Sequence, residues 1–215
     1  MQTKHYIIEN IAEFSDQVEA VKRLKEYLNC IEEKAFPAIE EVFGSTWDDN
    51  QIHIKLDDST GGGGYYHNGS FHIVKIGINN KNTQKKYPEN LWGCLFHETL
   101  HAFMNPIVKN DNKNRDLNDG KEGEPFTRSF QQTVYFKLKD KEIINEKLCE
   151  YFFNMHIKEI NNDAKNLFEN YVKIFSKNNN FSKFINYLKS NKILFTNKDN
   201  FSIDLNKAKE FLLIN

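Results

Sequence analysis

The sequence predicts an α+β fold: a small, mostly antiparallel sheet with a glycine-rich edge hairpin, packed on one histidine-bearing helix and surrounded by other helices. Three observations predict it. Apolar residues recur at three- and four-residue steps over residues 12–43 and again from Pro125 onward, the period of an amphipathic helix. Between these stretches the period drops to two, in "QIHIKL" (51–56) and "FHIVKIGIN" (71–79). A third stretch, "CLFHETLHAF" (94–103), is apolar on most sides yet carries His97, Glu98 and His101.

Taken in order, Val18, Val21, Leu24, Leu28 and Ile31 form the apolar stripe of the first helical region, which Pro37 is expected to divide or kink. Ile52, Ile54 and Leu56 share one face of the first strand. After the run Gly61–Gly64, the pair Asn68-Gly69 suits a two-residue hairpin turn, because both residues tolerate positive φ. The helix that follows is expected to begin at Pro88, with Glu89 complementing its positive end, and to stop at Pro106, Asn105 being restricted by the proline after it. Leu91, Leu95, Phe96, Leu100 and Phe103 bury it on more than one side. Residues 107–124 read as a polar loop, and five helical segments follow, ending with "NFSKFINYLK" and "LNKAKEFLLI". The whole of 1–215 reads as one domain: N-terminal helices in 1–45, sheet and helix core in 50–140, C-terminal helices in 141–215.

Composition narrows the function. Hydrophobic residues make up 39%, with 18 Phe and 9 Tyr, enough for a real core. A formal net charge of -1 leaves no footprint for a polyanion, so nucleic acid is not expected as a partner. Cys30, Cys94 and Cys149 are far apart and odd in number, which supports neither a disulfide framework nor a cysteine zinc site. No apolar run reaches the ~18 residues of a membrane span, and the N-terminus has no apolar leader segment. A soluble, cytoplasmic protein is the expectation; oligomeric state is not legible.

The spacing of His97 and His101 carries the chemistry. Residues four apart project from one helix face, so two imidazoles can aim at one point, and imidazole nitrogens at ~2.0–2.1 Å suit Zn²⁺. Glu98 stands about 100° round the helix. It is too displaced to be a third ligand alongside them and well placed to act as general base towards a water that the metal acidifies.

The motif His97-Glu98-Thr99-Leu100-His101 resembles that of the zincin metallopeptidases, and among them the gluzincins, in which a glutamate on a later helix completes the site. The resembling stretch runs from about Gly61 to Leu138. The resemblance implies a zincin-like fold, one Zn²⁺ per chain, and an edge strand lining a cleft for an extended peptide or protein substrate; "GGGGYYHNGSFHIVKIGIN" sits where that strand belongs. Met104 and Ile107 stand where the metzincin branch needs a glycine-histidine continuation, which excludes that branch.

The resemblance also implies a third ligand about twenty residues after the second histidine. Glu122, 21 positions on and followed by glycine, is the first choice, Glu124 the alternative, and Asp119 the remaining one. Tyr65, Tyr66, His67 and Tyr135 are candidates to bind substrate or stabilise an oxyanion, as tyrosine or histidine does in similar enzymes; packing is the competing role for each. His53 and His72 read as surface or satisfied core residues, His156 as a packed helix residue, and Arg128 as a partner for the third carboxylate. The expected activity is peptide-bond hydrolysis with Glu98 as base. The alternatives are an inactive zincin-fold binding or regulatory protein, and a helical interaction module in which the motif is accidental.

Overall fold

A computed structural model describes residues 1–44, 46–47, 50–67, 70–108, 123–160, 162–178, 183, 194–197 and 200–203. The chain gathers into two compact units, the first made of residues 1–37 and 47–102, the second of 38–46 and 103–215. The α+β class holds: helices accompany a small four-stranded sheet.

The sheet belongs to the first unit. Its strands are β1 (Tyr6–Ile8), β2 (Ile52–Asp57), β3 (Gly64–His67) and β4 (His72–Gly77), in the spatial order β1-β2-β4-β3. The β3–β4 pair is antiparallel, as the Asn68-Gly69 turn signal implies, with His67 opposite His72; the turn itself lies outside the described residues. The expectation of a mostly antiparallel sheet is wrong. β1 pairs with β2 in parallel and β2 with β4 in parallel, so the sheet is mixed. The cause is connectivity. A helical crossover separates β1 from β2, and β4 inserts between β2 and β3, so the antiparallel pair is the one with the shortest connection along the chain. The glycine-rich strand β3 does lie at the sheet edge. Ile52, Ile54 and Leu56 are buried together, as their two-residue period requires.

Helix α1 (Val18–Cys30) buries Leu24 and Leu28, and Ile31 follows them into the core. Val18 is 69% exposed and does not join the stripe, because it opens the first turn, beyond the packed face. A π-helical turn (Ile31–Ala35) links α1 without a break to α2 (Phe36–Phe43). Pro37 therefore does not separate two helices. Its ring cannot sit against a tight α turn and has no N–H to give, and a wider π turn lies directly before it.

The histidine-bearing helix also differs from expectation at both ends. Glu89–Trp92 is a separate 3-10 turn, Gly93 is extended, and α3 spans Cys94–Val108. Pro88 and Glu89 thus belong to the turn before the helix. Pro106 lies inside α3, where its missing N–H costs one backbone bond near the C-terminal end and does not end the helix.

In the second unit α4 (Gly123–Asp140) packs against α5 (Glu146–Glu159) and α6 (Asn162–Asn178). Asn145 caps α5 by accepting from the Leu148 N–H at 2.8 Å. Phe126 meets Tyr171 and Phe175 edge-on, with centroids 5.3 and 5.5 Å apart, and Ile160, Phe168 and Val172 extend this core. A hairpin of β5 (Leu194–Asn197) and β6 (Asn200–Ile203) follows, which the sequence reading did not anticipate. The expected helix over 205–214 lies outside the described residues, as does that over 180–189 apart from Lys183. Cys30, Cys94 and Cys149 are free thiols. No described helix is long and apolar enough to cross a membrane.

Candidate metal centre

The site starts from how α3 begins. Gly93 is extended (φ -64, ψ 152), and a Cβ built there would lie 2.8 Å from the Asn90 carbonyl oxygen and 3.0 Å from both Thr83 Oγ1 and the Tyr27 hydroxyl. Only glycine fits. Instead of a side chain from the residue before the helix, α1 supplies the cap: the Phe96 N–H donates to the Tyr27 hydroxyl at 3.2 Å, and that hydroxyl donates to the Gly93 carbonyl at 3.5 Å. Two turns of the helix are anchored further along, where Thr99 Oγ1 donates to the Leu95 carbonyl at 2.8 Å and lies 2.9 Å from the Tyr6 hydroxyl on β1. Burial pushes the Tyr6 phenol far above its ordinary value, so it stays a neutral hydrogen-bonding group.

This anchoring sets the rotation of the helix. Leu91, Leu95, Phe96, Leu100 and Phe103 are buried as expected, and the remaining face carries His97, Glu98 and His101. His97 Nε2 and His101 Nε2 lie 3.0 Å apart, with their rings edge to face at 89°. Two nitrogens held at ~2.0–2.1 Å by one tetrahedral zinc ion are roughly 3.3 Å apart, so the pair needs almost no movement to share a cation. His101 is 2% exposed and His97 half-buried. Glu98 is 7% exposed, with Oε2 4.0 Å from His101 Nε2. Cys94 lies one turn towards the N-terminus on this side; burial raises its thiol above the ordinary range, and the Glu98 carboxylate raises it further.

The sheet flanks this face. A Cβ on Gly63 would stand 2.5 Å from the Lys75 carbonyl oxygen and 3.3 Å from Cys94 Cβ, so glycine lets the start of β3 close against both β4 and α3. Tyr65, two residues on, stacks beside His101, with centroids 6.2 Å apart and planes 16° from parallel. Its hydroxyl is 2.8 Å from His72 Nδ1. Tyr66, the next residue of the strand, has the Lys75 ammonium 5.4 Å from its ring centroid. His67 ends β3, opposite His72. Tyr135 is fully buried within the second unit, accepts from Gln131 Nε2 at 2.6 Å and packs on Phe152, and burial holds its phenol well above the ordinary range. It reads there as a core residue. Tyr65 thus has a ring contact to a histidine of the motif, His101.

The other histidines have local partners. His53 Nδ1 lies 2.7 Å from Glu9 Oε1. His72 is fully buried beside Tyr65 and Trp47, and His156 packs on Tyr135 and Phe168.

Glu122 and Asp119 lie outside the described residues. Glu124 occupies the first turn of α4 and is held there by Arg128, whose Nε donates to Glu124 Oε2 at 3.1 Å while Nη1 donates to Glu159 Oε2 at 3.0 Å. Arg128 thus does pair with a candidate third carboxylate. Among the described residues, one ligand atom from each of His97, His101 and Glu124 lies within 4.8 Å of the other two. Two imidazoles and one carboxylate form a donor set that suits zinc and leaves room for a fourth ligand. Sequence reading missed three supports of this face: Tyr27, Tyr6 and His72. Each lies far from the motif along the chain, and its role depends on one hydroxyl or ring nitrogen that no spacing rule marks. No family model, no curated protein and no solved structure matches this chain.

Proposed function

We propose that the protein is a zinc-dependent peptidase, with His97, His101 and Glu124 holding one metal ion and Glu98 acting as general base. The observation that carries this reading is the convergence of His97 Nε2 and His101 Nε2 to 3.0 Å on one helix, with a carboxylate of Glu124 within ligand reach of both. When bound, zinc supplies a Lewis acid that polarises a substrate carbonyl and acidifies a water. The protein supplies the rest. Glu98 follows His97 directly and stands off the line joining the two histidines, so its carboxylate takes the water's proton without competing for the metal. Its low exposure keeps bulk water from hydrating the carboxylate, and the same oxygen can then pass the proton to the departing amine nitrogen. Strand β3 is the edge strand of the sheet, the position at which an extended peptide adds as a further strand.

The test is metal analysis of the full chain beside turnover of a peptide library. About one zinc per chain is expected, lost in His97→Ala. Glu98→Gln is expected to keep the zinc and to lose hydrolysis by ~10²–10⁴-fold. A chain that takes up no zinc overturns the metal reading. A zinc-loaded chain that cleaves nothing overturns the peptidase reading and leaves a zinc-binding scaffold.

A further inference from the structure

The mechanism above makes no use of the sheet face turned away from α3. Successive side chains of a strand point to opposite faces. Tyr65 stacks beside His101, so Gly64 and Tyr66 belong to the face away from the histidines. The register sets Lys75 of β4 directly opposite Gly64 on one side and directly beside Lys55 of β2 on the other. Like charges so placed on neighbouring strands repel. Lys55 is offset by Glu9, whose Oε2 lies 3.3 Å from its ammonium. Lys75 turns the other way, towards the sheet edge, with its ammonium 5.4 Å from the Tyr66 ring centroid. It is exposed, and among the described residues no carboxylate pairs with it.

Gly64 leaves the way from Lys75 to the edge open. A Cβ built on Gly64 meets no atom within 4 Å, and its φ is not positive, so neither packing nor backbone conformation demands a glycine there. The missing side chain leaves a path across β3. A peptide added beside β3 as a further strand places one residue directly beyond Gly64, two strand spacings or ~9.5 Å from the Lys75 backbone. The flexible four-carbon stem of the lysine and a carboxylate side chain on that residue close this gap between them. We propose that the protein selects extended peptides carrying an aspartate or glutamate at the position beyond Gly64, and that Lys75 reads that carboxylate on the sheet face away from the metal centre. The Tyr66 ring holds the ammonium on the edge side by a cation–π contact. Lys75 determines specificity and takes no part in the chemistry. The inference rests on the peptidase reading and adds to it a substrate class.

The test begins with a mixed peptide library cleaved by the full zinc-loaded chain and read by mass spectrometry. Asp and Glu are expected to be enriched at one position, a fixed number of residues from the cleaved bond. Three synthetic peptides of the selected sequence, with Glu, Gln or Lys at that position, then give kcat/KM for the wild type, Lys75→Glu and Gly64→Val. The same peptides give Kd for the Glu98→Gln chain, which reads binding without turnover. The wild type is expected to favour Glu over Gln by about 2–5-fold, the size of one exposed ion pair, and Glu over Lys by more. In 1 M salt, where charges are screened beyond ~3 Å, the preference is expected to shrink. Lys75→Glu is expected to reverse the order, and Gly64→Val, which sets a branched side chain in the path, to level it. The Kd values are expected to follow the wild-type order. Absence of acidic enrichment overturns the inference, and so does a preference that survives in Lys75→Glu or in Gly64→Val. Lys75 would then be a charged guard that deters pairing of the edge with other chains. A wild-type chain without zinc or cleavage sinks the parent reading and this one with it. Zinc uptake and cleavage with no acidic preference sink this one alone.

Discussion

Arg128 binds Glu124 with one nitrogen and Glu159 with another, so a single guanidinium holds a carboxylate that is a candidate third ligand. At this scale the sequence was readable where the spacing is rigid and unreadable where it is not. His97 and His101 lie on one helix, and a four-residue step on a helix fixes their relation before any tertiary structure is known. The candidates for a third ligand lie on a separate stretch of chain, and counting residues from His101 favours Glu122, which lies outside the described residues, over Glu124. The count carries no information on where α4 begins. With Gly123 as its first residue, Glu124 enters the first turn, where the positive end of the helix also favours a carboxylate. The prediction is that Glu124→Ala lowers zinc affinity well beyond the ~10–100-fold typical of an outer-shell partner, while Glu122→Ala stays within that range. Competition with a zinc chelator measures both, and the reverse order returns the ligand role to Glu122.

At the scale of elements, α3 shows how a proline signal can mislead. Pro88 and Glu89 have the residue types of a helix start, but Gly93 follows, and the tight approach of Asn90, Thr83 and Tyr27 to its Cα imposes an extended residue before the helix proper. Which of two starts is used depends on a packing contact across 66 residues, between Tyr27 and Gly93. The parallel pairings of the sheet were hidden for a similar reason: a two-residue period says which face is buried and nothing about the direction of the neighbour. β1, with three residues, is too short to register as a period at all. Two substitutions test the account of α3. Gly93→Ala is expected to cost about 1–3 kcal/mol, because the added methyl meets a backbone oxygen that cannot step aside. Tyr27→Phe keeps the packing and removes the hydroxyl, and is expected to cost about 1 kcal/mol. Thermal melts read both, at roughly 2–4 °C per kcal/mol for a chain of this size. A Gly93→Ala protein as stable as wild type would show that the turn before α3 has room to spare.

For the molecule as a whole, the proposed metal site would link binding to folding. If His97, His101 and Glu124 are the ligands, Glu124 is far from the two histidines along the chain and meets them only in the native state, so zinc bound there would stabilise that state by RT ln(1 + [Zn]/Kd). At a free zinc concentration 1,000 times Kd this is about 4 kcal/mol, or roughly 8–16 °C in Tm for a chain of this length. The shift separates roles that an activity assay merges. On the proposed roles, Glu98→Gln removes a base and no ligand, so its melting temperature is expected to rise with zinc as much as that of the wild type. His97→Ala and Glu124→Ala each remove a ligand and are expected to lose most of the rise, whatever their stability without metal. Tyr65→Phe keeps the ring that stacks beside His101 and removes neither a ligand nor the base, and is expected to keep it. Calorimetry of the four variants with zinc and with chelator measures the set. A zinc-dependent rise that persists in His97→Ala would place the metal elsewhere and remove the observation on which the proposed activity stands.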